Sequence, residues 1–148
     1  MLLFDVGANR GDATIAGLTK GYRVIAIEPG PRIYRQLVAN FIYNNNVVPL
    51  KFAVSDTDNQ QIEFYEAEED GLSTLNKEWL TDETMPYNGK PYRTINATTI
   101  TIDSLAKIYG NPEYCIIVMG DYSKDSNYHM KYKEPIKGKG MRMLFRQK

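Results

Sequence analysis

A glycine-containing loop and a glutamate downstream of it are the residues best suited to chemistry in this chain. The loop, Asp5-Val6-Gly7-Ala8-Asn9-Arg10-Gly11-Asp12, follows a short apolar run. Its glycines allow a tight turn and let a ligand approach the backbone closely. Glu28 lies at about the spacing at which an acidic side chain binds the ribose hydroxyls of an adenosine. Together they predict a site for an adenosine-containing cofactor.

The loop separates two classes of cofactor. A dinucleotide site needs Gly-x-Gly-x-x-Gly to seat a pyrophosphate, whereas this loop has Gly-x-Asn-x-Gly. Asp5 and Asp12 flank it and would repel a pyrophosphate. S-adenosylmethionine has a cationic ammonium and sulfonium and no phosphate, so a carboxylate is a favourable neighbour. The alternative is that Gly7 and Gly11 only make a turn, with Glu28 a helix-start carboxylate.

The surrounding elements predict an α/β protein with an open, mostly parallel sheet. Short apolar segments, typical of buried strands, alternate with segments whose apolar residues recur at helical spacing, and turn residues separate them. This alternation is expected for strands joined by helical crossovers. The strands are predicted at Leu2–Val6, Arg23–Glu28, Val47–Val54 and Tyr114–Met119; the helices at Asp12–Lys20, from Pro31 onward and at Ile102–Tyr109. Between the third and fourth of these strands, Gln61–Glu66 and Tyr92–Thr101 predict an antiparallel excursion.

The last segment differs in composition. Residues 121–148 carry eight basic residues against three acidic ones and few aliphatic side chains. We therefore expect one domain over residues 1–120 and a basic tail that adds no core strand. On that prediction the fourth strand is an exposed apolar edge, which a homo-oligomer would cover.

Bulk composition restricts the partners and the compartment. The chain has 18 basic and 18 acidic residues, so no strong overall charge argues for nucleic acid or an anionic membrane as a partner, and we expect neither. The only cysteine, Cys115, excludes an intrachain disulfide, and no apolar run is long enough for a membrane span. The amino terminus has no secretion signal, so a cytoplasmic location is expected.

Four blocks of the sequence resemble the FkbM-type methyltransferases in order and spacing. They are Phe4-Asp5-Val6-Gly7-Ala8-Asn9-x-Gly11, Ile27-Glu28-Pro29-x-Pro31, Ala53-Val54-Ser55-Asp56 and Thr99-Ile100-Thr101-Ile102-Asp103-Ser104-Leu105. The resemblance covers about residues 1–114. It implies a Rossmann-like class I methyltransferase fold, S-adenosylmethionine as cofactor, and methylation of a hydroxyl on a sugar or other small molecule.

The resemblance also implies roles for individual residues. The methionine end of the cofactor would be lined by Asp5, Gly7, Ala8, Asn9 and Gly11. Glu28 would bind the ribose, Pro29 and Val54 would flank the adenine, and Ser55 or Asp56 would lie near its edge. Core packing is the alternative role for Val54.

Departures from the family pattern concern the acceptor side. The family's fourth strand ends in Lys-Ile-Asp-x-Glu-Gly, whereas this chain has Ile116-Ile117-Val118-Met119-Gly120-Asp121. Asp121 is the candidate general base for an alcohol acceptor, and His129 is a weaker one. The sheet is expected to be incomplete after its fourth parallel strand. Two alternatives to an active enzyme therefore stay open: a non-catalytic cofactor-binding module, and an inactive truncated remnant.

Overall fold

The computed structural model describes residues 1–69, 71–85, 87–118, 135–137 and 142–146. Its elements in chain order are β1 (Leu2–Val6), α1 (Asp12–Thr19), β2 (Arg23–Ile27), α2 (Pro31–Phe41), β3 (Val47–Leu50), β4 (Ala53–Val54), β5 (Gln61–Ala67), α3 (Glu78–Thr81), β6 (Tyr92–Ile100), α4 (Ile102–Tyr109), β7 (Tyr114–Val118), β8 (Pro135–Lys137) and β9 (Arg142–Arg146). The predicted α/β class is confirmed.

The main sheet has β1 at the centre of its parallel part. Its strand order is β3-β2-β1-β7-β9-β8, and the first four strands are parallel. In this register Val6 lies opposite Ile27 on one side and Ile117 on the other. The loops that follow β1 and β2 therefore emerge at the same edge of the sheet, where open α/β folds bind ligands.

Apolar residues cover both faces of this sheet. On one face Phe4, Val6 and Ile25 pack with Leu105 of α4. On the other face Leu3 and Val24 pack with residues of α2 that include Leu37. Because neighbouring strand residues point to opposite faces, short continuous apolar strands supply both layers, as expected for a doubly wound sheet. None of the helices in the described ranges is long and apolar enough to cross a membrane.

The predicted third strand, Val47–Val54, is two strands in two sheets. Val47–Leu50 forms the edge of the main sheet beside β2. Ala53–Val54 instead pairs in parallel with Thr99 and Ile100 of β6, in a small sheet ordered β4-β6-β5. The prediction of one strand over Val47–Val54 is wrong. Apolar residues continue from β3 into β4, so the sequence shows no break, and only the different pairing partners separate the two strands. The antiparallel excursion is confirmed by the pairing of β5 with β6.

The carboxyl-terminal segment also differs from its prediction. Residues Arg142–Arg146 pair antiparallel with the whole of β7, and Pro135–Lys137 pairs with β9. In the described part of the chain the parallel strands of the sheet end at the fourth, as expected, but the tail, from which we expected no core strand, contributes two antiparallel strands. A short run, Met143-Leu144-Phe145, is enough for a strand when the edge of β7 offers unpaired backbone groups. This pairing occupies the edge for which we expected a homo-oligomer.

Candidate functional site

The loop after β1 is held by backbone hydrogen bonds within itself and to the end of β2. The amides of Gly7 and Ala8 both donate to the Ile27 carbonyl at 2.9 Å, and the Gly11 amide donates to the Ala8 carbonyl at 2.9 Å. The φ angles of Gly7, Asn9 and Gly11 are +72°, +53° and +102°. Left-handed backbone at Asn9 is unusual for a residue other than glycine and often marks a functional loop. The loop is thus a tight turn that is bonded both internally and to the end of β2.

Gly11 has a packing role in addition to its backbone conformation. A Cβ atom at this position would stand 2.2 Å from Cε2 of Phe41 and 3.3 Å from Cδ1 of Leu37. Both side chains belong to α2. The glycine therefore lets α2 approach the start of α1, and its part in the site is to set the shape of the loop.

Asp5 is a buried carboxylate at the end of β1. Its exposed fraction is 0 %, and the hydroxyl of Thr14, in α1, donates to its Oδ2 at 2.7 Å. Asp5 also acts on the neighbouring strand: burial, and to a smaller extent the Asp5 charge, raise the pKa of the Cys115 thiol. A negative charge held this close to the loop favours a cationic group nearby.

Glu28 connects the loops after β1 and β2. Its Oε2 accepts from the Asn9 amide at 3.0 Å and its Oε1 from the Gly30 amide at 2.9 Å. The side chain is buried, with 5 % exposed. Burial raises the pKa of Glu28 from 4.5 to about 7, assisted by the charges of Glu66 and Asp5 and opposed by the two amides. Near neutral pH this carboxyl therefore exists in both protonation states.

Glu66 is a residue of the site that the sequence did not reveal. It lies on β5 with 1 % of the residue exposed. Its Oε1 accepts from the Arg32 amide at 2.8 Å, and its Oε2 accepts from Nε of Arg93 at 2.6 Å. A glutamate in an alternating strand is usually read as solvent-facing. The register that places Arg93 directly opposite it is the only signal, and it depends on knowing the pairing of β5 with β6.

The side chain of Asn9 carries an unused acceptor. Within the described part of the chain, its buried Oδ1 has no hydrogen-bond partner. A buried acceptor without a donor costs free energy, so a ligand that brings a donor would be stabilised there. An ammonium group is a donor of this kind.

The residues predicted around the adenine lie in different environments. Pro29 is half-buried in the turn between β2 and α2, whereas Val54 is 2 % exposed and packs in the apolar core. Ser55 donates its hydroxyl to Asp56 Oδ1 at 3.2 Å, and Asp56 is exposed. Core packing thus accounts for the burial of Val54, and its contact with adenine stays a prediction.

Asp58, in the turn that follows β4, holds the start of α4. Asp58 accepts from the Thr101 amide at 2.6 Å and from the Ser104 hydroxyl at 2.6 Å. These bonds, led by the one from Ser104, lower the pKa of Asp58. Asp58 therefore anchors the loop after β4 to the helix that precedes β7.

The acceptor-side candidates Asp121 and His129 lie outside the described residues. Within the ranges that are described, no group of three or more histidine, cysteine, aspartate or glutamate side chains could hold a metal ion. Of the residues predicted from the sequence, the structure brings together Asp5, the 7–11 loop and Glu28. It adds Glu66, which the sequence did not reveal.

The chain was compared with protein-family models, solved structures and curated sequences. The family described as "Methyltransferase FkbM domain" matches residues 5–117, which is 113 of the 148 residues. A crystal structure of a candidate S-adenosylmethionine-dependent methyltransferase from Listeria monocytogenes is similar at 13 % identity and a TM-score of 0.35, covering 99 % of this chain and 90 % of that one. No curated protein sequence matches the chain.

Proposed function

The chain belongs to the FkbM methyltransferase family, and on that premise we propose that it binds S-adenosylmethionine where the loops after β1 and β2 meet. The bound cofactor would supply a methyl group activated by a sulfonium. Asp5 and Asn9 would hold its methionine end, and Glu28 would hold its ribose. Transfer of the methyl to an alcohol would complete the proposed reaction.

The observation that carries this proposal is the position of Glu28. Its carboxylate joins the tips of two adjacent parallel strands, and each of its oxygens accepts one backbone hydrogen bond. A carboxylate has about four lone-pair directions, so each oxygen can accept one more donor. Two neighbouring ribose hydroxyls provide a matching pair of donors.

The hydrogen bonds of the loop favour a phosphate-free ligand. The amides of Gly7, Ala8, Asn9 and Gly11 all donate to acceptors of the protein itself. A pyrophosphate would need such amides turned toward it. The buried Asp5 would also repel it. The ammonium of S-adenosylmethionine suits both this charge and the unused Oδ1 of Asn9.

The acceptor proposed is a hydroxyl of a sugar or another small molecule, following the family resemblance. Methyl transfer is a displacement that requires the acceptor oxygen at about 3 to 3.5 Å from the methyl carbon, so alignment supplies most of the catalysis. Asp121 is proposed to take the hydroxyl proton. A cytoplasmic location completes the proposal.

Calorimetric titration tests the cofactor assignment. We expect S-adenosylmethionine and S-adenosylhomocysteine to bind and NAD not to bind. Replacing Glu28 by alanine should weaken binding by about 10- to 150-fold, the equivalent of 1.5 to 3 kcal/mol for hydrogen bonds to a charged group. Glu83→Ala, which changes an exposed glutamate, is the matched control and should bind like the wild type. Folded protein that binds neither methionine compound would contradict the proposal.

Transfer of a labelled methyl group separates the enzyme from its alternatives. Label found on a hydroxylated acceptor supports an active enzyme. Tight cofactor binding with no transfer to a broad panel of sugars and small alcohols would support a non-catalytic binding module. Absence of both binding and transfer would support an inactive remnant.

A further inference from the structure

A buried network on the small sheet contacts the turn that carries Glu28. Glu66 Oε1 accepts from the Arg32 amide, in the first turn of α2, at 2.8 Å. Its Oε2 lies 2.6 Å from Nε and 2.5 Å from Nη2 of Arg93. The Glu66 side chain is 1 % exposed, whereas that of Arg93 is 57 % exposed. A buried charge is thus compensated by a helix amide on one oxygen and a guanidinium on the other.

Gly30 is the spacer between this network and Glu28. A Cβ atom at position 30 would stand 2.8 Å from Glu66 Oε1 and 3.1 Å from Glu28 Oε1. The φ of Gly30 is −71°, which any residue can adopt. Glycine is therefore needed for space, because two carboxylates approach the same backbone atom from different elements.

The guanidinium of Arg32 makes a second tie between the same two elements. Its Nη2 donates to the carbonyls of Ala67 at 2.8 Å and Glu68 at 3.1 Å, at the end of β5. Residue 32 is thus bound to the end of β5 through both its amide and its side chain. The turn from residue 28 to residue 32 is held against the small sheet and cannot shift independently of it.

We propose that Glu66, anchored by Arg93, is a positioning residue for the nucleoside site, holding the 28–32 turn where the Glu28 carboxylate can receive the ribose hydroxyls. This inference rests on the proposed function. The small sheet is then part of the binding machinery, because it holds the turn whose Gly30 amide bonds Glu28 Oε1, while the 7–11 loop bonds Oε2.

The charge of Glu66 gives this role a signature that a packing role lacks. Two carboxylates act on the Glu28 carboxyl, Glu66 from β5 and Asp5 from β1, while Arg93 from β6 compensates Glu66. The negative charge of Glu66 raises the pKa of Glu28. If ionised Glu28 is the form that accepts the ribose, affinity rises with pH through the neutral range, and its midpoint depends on Glu66.

The test is the affinity for S-adenosylhomocysteine, measured by calorimetry across the neutral range of pH. Glu66→Gln keeps an acceptor for the Arg32 amide but removes the charge, so the midpoint should move to lower pH. Glu66→Ala removes the acceptor too and should weaken binding roughly tenfold above the midpoint. Glu83→Gln, which changes an exposed glutamate outside the network, should keep the wild-type profile.

A second variant covers the case in which the Glu66 variants do not fold. Arg93→Gln changes a largely exposed side chain and leaves Glu66 uncompensated, so the midpoint should move to higher pH. Folded variants of Glu66 or Arg93 with the wild-type profile would overturn the inference while the proposed function stands. If the wild type itself binds no S-adenosylhomocysteine, the proposed function fails and this inference fails with it.

Discussion

The backbone amide of Asn9 donates a hydrogen bond to Glu28 Oε2 at 3.0 Å, between two residues 19 positions apart. This bond joins the loop after β1 to the tip of β2. Asn9 keeps a φ of +53° there, a left-handed conformation that asparagine adopts more readily than most residues. The bond to the Glu28 carboxyl oxygen helps to hold the backbone in this conformation. The shape of the loop and the position of the Glu28 carboxyl are thus linked.

The raised pKa of Glu28 predicts a specific pH dependence of stability. Its pKa rises from 4.5 to about 7 on folding, so the stability it contributes is complete below pH 4.5 and is lost as pH rises through about 7. Glu28→Gln stays neutral throughout. The unfolding free energy of this variant, relative to wild type, should therefore rise by about 3 kcal/mol from acid pH to above pH 7. Urea unfolding at several pH values measures it, and a constant difference would contradict the shift.

Gly11 should tolerate alanine poorly. The added Cβ would meet Phe41 Cε2 at 2.2 Å on a backbone with φ of +102°, so overpacking of about 1 to 3 kcal/mol adds to about 1 kcal/mol of backbone strain. Gly71→Ala is the matched control, because Gly71 has a φ of +82° with nothing within 4 Å of the added atom. Chemical unfolding should show a larger loss of unfolding free energy for Gly11→Ala than for Gly71→Ala. Equal losses at the two positions would mean that contact with α2 is unimportant.

The hydroxyl of Thr14 should matter because it is buried with Asp5. Both residues are 0 % exposed and the bond between them is 2.7 Å long. Thr14→Val removes the donor and should cost about 1 to 3 kcal/mol. Thr19→Val, on the same helix, loses only an exposed bond to the Ile15 carbonyl and should be nearly neutral. Thermal unfolding compares the melting temperatures of the two variants. Thr14→Ser, which keeps the hydroxyl, should retain most of the wild-type stability.

Asp58 should stabilise the protein only while it is ionised. Its pKa is lowered from 3.8, first by the Ser104 hydroxyl and then by the Thr101 amide, so its contribution is present above that value and is lost as pH falls through the lowered pKa. Asp58→Asn should therefore lower the melting temperature at neutral pH, and the deficit should shrink in acid. Asp56→Asn, which changes an exposed neighbour, should leave it unchanged. A pH-independent deficit for Asp58→Asn would contradict the role of its charge.

Local pattern in the sequence was enough for the elements near the site. The run Leu2–Val6, the glycine loop and Glu28 fall where the prediction put them. Such features depend on residues close together in the chain, where steric preference and turn chemistry decide the outcome. The split of Val47–Val54 and the strand at Arg142–Arg146 were missed. In both cases a distant strand supplies the hydrogen bonds that define the element.

By itself the sequence determined the β-α-β core, a loop without the glycine pattern of a dinucleotide site, and the presence of an acidic residue at the tip of β2. Only the tertiary structure decided that Glu66 lies close enough to Glu28 to act on its pKa, and that the register of β5 with β6 pairs Glu66 with Arg93. Tertiary structure likewise decided the raised pKa of Glu28. A pKa depends on burial and on every nearby charge, and those neighbours come from parts of the chain that only folding brings together.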